Sequence, residues 1–146
     1  MNIYHSYFKF WRNFIHKEDF CWIAITKTVP SDYIGNICRT LAPIRKEFDA
    51  VVNPFNEAAF FKVYAKMLKS LDKQTIINEL KSFSKKGKDV VLLNWEDLSV
   101  RSEGRFAYAW MFNMKMNDAD KYDLENILLE KKKRSEMIYG TNFLDL

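Results

Sequence analysis

VVLLNWEDLSVRSEGRFAYAWM, residues 90–111, decides the fold. Val90, Val91, Leu92 and Leu93 form an unbroken apolar run. A strand that is apolar at every position is buried on both faces, as a central parallel strand is. Asn94 and an acidic loop end the run. Beyond the loop, Phe106, Ala107, Trp110, Met111 and Met114 recur at helical spacing and suit a helix packed on the sheet. In a parallel α/β sheet the ligand crevice lies just past the carboxyl ends of the strands. The strand-to-helix junction is therefore where a site belongs, yet it holds no cysteine, no histidine and no glycine-rich loop.

Upstream, Gly87 in KKGKD supplies a turn into the strand. Asp72 is an N-cap for a helix carrying Ile76, Ile77, Leu80 and Phe83. A second helix, from Asn56, sets Phe60, Val63, Tyr64, Met67 and Leu68 on one face. NIYHSYF, residues 2–8, alternates as a first strand, and FCWIAIT, residues 20–26, reads as another buried strand. Residues 27–44 carry Pro30, Gly35 and Pro43 and form a long loop with one helical turn. Downstream, residues 117–137 read as a final helix with Leu124, Ile127 and Leu128 inward. Its basic tetrad, Lys131–Arg134, complements the helix dipole. The alternation predicts a single three-layer α/β domain: a small, mostly parallel sheet, helices on both sides and a C-terminal helical extension.

Composition agrees with one globular domain. The chain has 146 residues, 48% hydrophobic, and its four glycines and three prolines leave no flexible linker. A net charge of +4 permits an anionic partner without requiring one. Cys21 and Cys38 form no C-x-x-C pair and read as reduced structural thiols, with the cytoplasm as the expected compartment. His5 and His16 are too isolated for a metal site, and no cofactor is expected. No apolar span approaches the ~20 residues of a membrane helix, and the start, broken by His5, Lys9 and Arg12, does not read as a signal peptide. Richness in Lys, Asn, Ile and Phe suggests a low-GC genome or a mobile element such as a phage.

Three blocks carry a family resemblance: IYHSYF (3–8), IAITKTVPSDYIGNICRTLAP (23–43) and the helical segment running into GKDVVLLNWE (87–96). In that order they resemble the domain-of-unknown-function 488 (DUF488) family of small bacterial and archaeal proteins. The likeness spans residues 1–111, a DUF488-like α/β domain, and residues 112–146 look like an extension beyond the usual family end. The departures fall on the family's site. Its strand typically ends in L-L-C-Y-E, and here LLNWE places Asn94 at the cysteine position. Its C-H-R motif opening the next helix aligns with Ser102, Glu103 and Gly104, so that Arg101 or Arg105 stands for the arginine. Both thiols and the imidazole are thus absent from the blocks that would carry the chemistry. A thiolate is the good nucleophile, and histidine the proton shuttle near neutral pH. Asparagine does not titrate, and Ser102 would need a general base.

The resemblance and the strand-end position together nominate Ser6, Lys27, Arg39, Asn94, Glu96, Arg101 and Arg105 as ligand-binding residues, with Tyr4 beside Ser6. Glu96, Glu103 and Ser102 are the catalytic candidates. Asn94 either lines a polar crevice or hydrogen-bonds loop backbone. Arg101 and Arg105, four apart, either grip a phosphate or carboxylate bidentately or pair on the surface with Glu103 or Asp97. Tyr7, Phe8, Phe10, Trp11 and Phe14 are mostly core, and any exposed part would be a partner surface. The leading expectation is a divergent, non-catalytic DUF488-like protein binding a protein partner or an anionic small ligand, without a membrane. The alternatives are an enzyme acting on a nucleotide or nucleic acid, with Glu96 or Glu103 as acid/base, and a nucleic-acid-binding protein using the C-terminal tetrad.

Overall fold

The computed structural model describes residues 1–44, 48, 56–96 and 103–139. Within them one parallel sheet forms from β1 (Ile3–Tyr7), β2 (Phe20–Ala24), β3 (Asn36–Ile37) and β4 (Asp89–Asn94), in the order β1-β4-β2-β3. The apolar run is the central strand. It pairs with β1 from Ile3↔Val90 to Tyr7↔Asn94, and with β2 from Phe20↔Asp89 to Ala24↔Leu93. Alternation sends its side chains to two cores. Val90 and Leu92 join Ile3, Ile23 and Ile25 beneath α2 (Glu57–Lys69), α3 (Lys73–Ser82) and α4 (Glu103–Met111). Val91 and Leu93 join Trp22 and Ala24 on the opposite face, beneath α1 (Phe8–Asn13) and the start of α6 (Leu124–Tyr139). All four side chains of the run are fully buried. Each contributes about 1.5–3 kcal/mol relative to exposure.

Local signals set the helix starts as expected. The Asn56 side chain accepts from the Ala59 N–H at 3.0 Å, and the Asp72 carboxylate accepts from the Thr75 N–H at 2.9 Å. Gly87 turns the chain into β4 at a φ of +67°, which glycine adopts without a Cβ clash. The loop after β2 holds a 3-10 turn, Arg39–Leu41, and also the two-residue strand β3, which the sequence pattern does not announce. Helix α1 is also new. The chain passes directly from β1 into it, burying Phe8 and Trp11 while Phe10 and Phe14 stack at 5.4 Å on its flank.

The final helix is shorter than the sequence suggests. In place of one helix over 117–137, the short α5 (Met116–Ala119) and a 3-10 turn (Asp120–Tyr122) come first. The Asp123 carboxylate then accepts from the Asn126 N–H at 3.1 Å, which caps the start of α6. An aspartate that bonds backbone locally ends one helix and begins another. The segment closes the outer edge of β1. The His5 Nε2–H donates to the Ala119 carbonyl at 2.7 Å, His5 and Asp123 form a parallel bridge, and the Tyr7 hydroxyl donates to Glu125 at 3.1 Å. Ala119 and Leu124 sit in the two cores, so residues beyond 111 complete the domain.

Burial at this seam perturbs two groups in opposite senses. It lowers the His5 imidazole to about 4 and raises the Asp123 carboxyl to about 6. Between pH 4 and 6.5 the unfolded chain holds more protons at His5, so that site makes stability rise with pH. Between pH 3.8 and 6 the folded chain holds more protons at Asp123, so that site makes stability fall with pH. The two slopes oppose each other in the wild type. Urea midpoints across this range should therefore climb with pH in Asp123→Asn and decline with pH in His5→Gln, and vary less in the wild type than in either variant.

Candidate functional site

Neighbouring strands β1 and β4 send the chain to opposite faces. Helix α1 follows β1 onto the face holding Val91 and Leu93, and α4 follows β4 onto the other. Such a divergence between adjacent parallel strands opens a crevice at their carboxyl ends. Here the Tyr7↔Asn94 pair marks it.

Asn94 stands at the floor, 0% exposed. Its Nδ2 donates to the Glu96 carbonyl at 2.7 Å, and its Oδ1 accepts from the Gly104 N–H at 3.2 Å. Asn94 therefore hydrogen-bonds loop backbone, the second of the two roles open to it. The first turn of a helix beside a sheet is a ready anion site, and here the protein's own carboxamide occupies that position. The close approach explains Gly104. A Cβ there would stand 2.6 Å from Asn94 Oδ1 and 3.5 Å from the His5 Cβ. The lone glycine of SEG was the sequence signal for this contact, and His5 lies beside it.

The remaining candidates separate. Ser6 and Tyr4 do not share the crevice with Asn94. Ser6 is in register with Leu93, so strand alternation places it on the α1 face. There the Ser6 Oγ is buried and has no hydrogen-bond partner among the described residues. Tyr4 packs edge-on against Phe20. Arg105 makes an ion pair with Asp120 of the C-terminal segment. Its guanidinium forks onto Asp120, with Nε 2.5 Å from Oδ1 and Nη2 3.0 Å from Oδ2. That bidentate pair ties α4 to the C-terminal segment. Glu103 opens α4 and is 3% exposed, where the helix dipole favours a carboxylate. Burial first, and then the charge of Glu103, raise the Tyr64 phenol well above its ordinary value, and its hydroxyl donates to the Leu41 carbonyl at 2.7 Å. Glu96 is half-buried. Arg101, Ser102 and Asp97 lie outside the described residues.

Lys27 and Arg39 are both exposed and leave neighbouring strands at the same end of the sheet, since Ala24 pairs with Ile37. Trp95 borders them. Its Nε1–H donates to the Thr28 carbonyl at 3.0 Å, its ring packs edge-on against Phe8 at 4.9 Å, and it is 44% exposed. The carboxyl end of the sheet thus presents exposed cations past β2 and β3 and an exposed indole past β4. The thiols lie elsewhere. Burial pushes Cys38 up to about 11 and raises Cys21 as well, so neither supplies thiolate near neutral pH. Lys131–Arg134 are exposed on α6. Four consecutive helical residues point about 100° apart, so the tetrad surrounds the helix and forms no single stripe.

No family model, curated protein or solved structure matches this chain. Among the described residues no helix is long and apolar enough to cross a membrane.

The contact between Asn94 and Gly104 can be tested by a double-mutant cycle in urea. Gly104→Ala should cost roughly 1–3 kcal/mol through overpacking. Asn94→Ala should cost about 1–3 kcal/mol by leaving the Gly104 N–H unpaired. The double variant should cost clearly less than the sum, because removing the carboxamide makes room for the added methyl.

Proposed function

We propose that the chain is a divergent, non-catalytic DUF488-like protein that binds an anionic small ligand or a protein partner at its strand-end crevice. One observation carries the reading: the carboxamide of Asn94, fully buried, is engaged by the Glu96 carbonyl and the Gly104 N–H. The floor position is thereby filled by a group that neither titrates nor attacks. The neighbouring groups support it. His5 donates to the Ala119 carbonyl and is lowered to about 4, so it stays neutral near pH 7. Arg105 is forked onto Asp120. Binding then falls to exposed groups past the carboxyl ends of the strands, the cations Lys27 and Arg39 and the half-exposed indole of Trp95.

Thermal-shift titrations with inorganic phosphate, adenosine monophosphate and glucose 6-phosphate, run beside hydrolysis assays on the two esters, test this reading. The expected result is no turnover, with any stabilisation lost in Arg39→Ala or Lys27→Ala. A ligand at ~100 times its dissociation constant should stabilise by roughly 2.7 kcal/mol. Hydrolysis that disappears in Glu96→Gln or Glu103→Gln would replace this reading with the enzymatic one. A flat titration without turnover would leave the protein partner as the occupant, to be sought by affinity capture with Trp95→Ala as the control.

A further inference from the structure

The crevice lies at the amino end of α4, and a second cleft lies at its other end. There the last turn of α4 meets α2 and the start of α3 around a cavity of about 480 Å³. Its apolar side is built from Phe106, Trp110 and Met114, all half-buried. Its rim carries Lys69 at the end of α2, Lys73 at the start of α3 and Lys115 beyond α4. No carboxylate lines it. Among the described residues none of the three ammonium groups makes a hydrogen bond or ion pair.

Lys69 closes α2, where a cation offsets the terminal carbonyls, and Lys115 lies between α4 and α5, at the N-cap of α5. Lys73 is the first residue of α3, where the dipole disfavours a cation, and it stands next to the capping carboxylate of Asp72. Its Nζ nevertheless turns over the Trp110 ring, 5.6 Å from the centroid. Three like charges around one apolar floor repel each other, and an anion among them removes that cost. The cleft is also pre-formed. Asn113 takes a left-handed φ of 50°, the Met114 N–H reaches the Ala109 carbonyl at 3.0 Å and the Asn113 N–H reaches Trp110 at 3.3 Å. This helix-ending motif fixes where Met114 and Lys115 leave α4.

We propose that this cleft binds a small aromatic acid, its ring against the Trp110 indole and its anionic head among Lys69, Lys73 and Lys115. The volume is in the range of small-molecule sites, about 300–1,000 Å³. An apolar floor with convergent cations selects a ligand that is both planar and negatively charged. This site shares no residue with the strand-end rim, so either can fail without the other.

The test uses the whole chain and a matched pair of fluorescent probes: anilinonaphthalene sulfonate, an aromatic anion, and phenylnaphthylamine, the same aromatic body without the charge. The sulfonate should saturate one site per chain, quench tryptophan emission and bind less tightly as salt is added. The neutral amine should bind at least about tenfold more weakly, and Lys73→Gln or Lys115→Gln should weaken the sulfonate by a similar factor. Lys73→Arg should retain binding, and Trp110→Phe should remove most of the quenching. Lys73→Gln removes a cation from a helix start and also the contact with Trp110, two small and opposing effects, so the fold should persist, and melting temperatures check this. The proposal is overturned if the two probes bind equally, if both glutamine variants bind as the wild type does, or if no saturable binding occurs below about 1 mM.

Discussion

A strand buried on both faces has its peptide groups out of reach of water, so other strands must satisfy both of its edges. β4 meets that demand with β1 on one side and β2 on the other. Its two apolar faces then require two separate covers. Helices α2, α3 and α4 supply one, and α1 with the start of α6 supplies the other. The three layers follow from this one demand. So does the burial of Asn94, which the strand carries into the interior at its carboxyl end.

At that end, groups that elsewhere act on ligands are engaged by the protein's own backbone and side chains. Asn94 caps the start of α4, His5 holds the Ala119 carbonyl and Arg105 forks onto Asp120. Each contact joins parts of the chain that are distant in sequence, so each stabilises the junction that it occupies. Further cations lie at Lys27 and Arg39, past the ends of β2 and β3, and around the cleft beside Trp110.

The C-terminal segment belongs to the same economy of burial. β1 is an edge strand, and an open edge is a template for unwanted pairing. The bridge between His5 and Asp123 and the contact of Ala119 with His5 cover it, and Leu124 fills the second core. The segment beyond residue 111 thus shields β1. Placing His5 and Asp123 together at this seam opposes two titrations, one favouring higher pH and one lower.

Much of the architecture could be read from local pattern. Val90–Leu93 announce a doubly buried strand, Asn56 and Asp72 announce helix starts, and Gly87 announces a turn, because periodicity and capping are properties of adjacent residues. The break at Asp123 is locally encoded too, but the helical spacing of Leu124, Ile127 and Leu128 masks it. The site was less legible. Its place at the carboxyl end of β4 followed from the α/β pattern, but its wiring did not. Ser6 and Asn94 fall on opposite faces only once the register with Leu93 is set, and Arg105 finds Asp120 only once the C-terminal segment folds back along β1. Sequence spacing states which side chains share a face of their own element. Which residue of another element stands opposite depends on register and packing, and those exist only in the assembled fold.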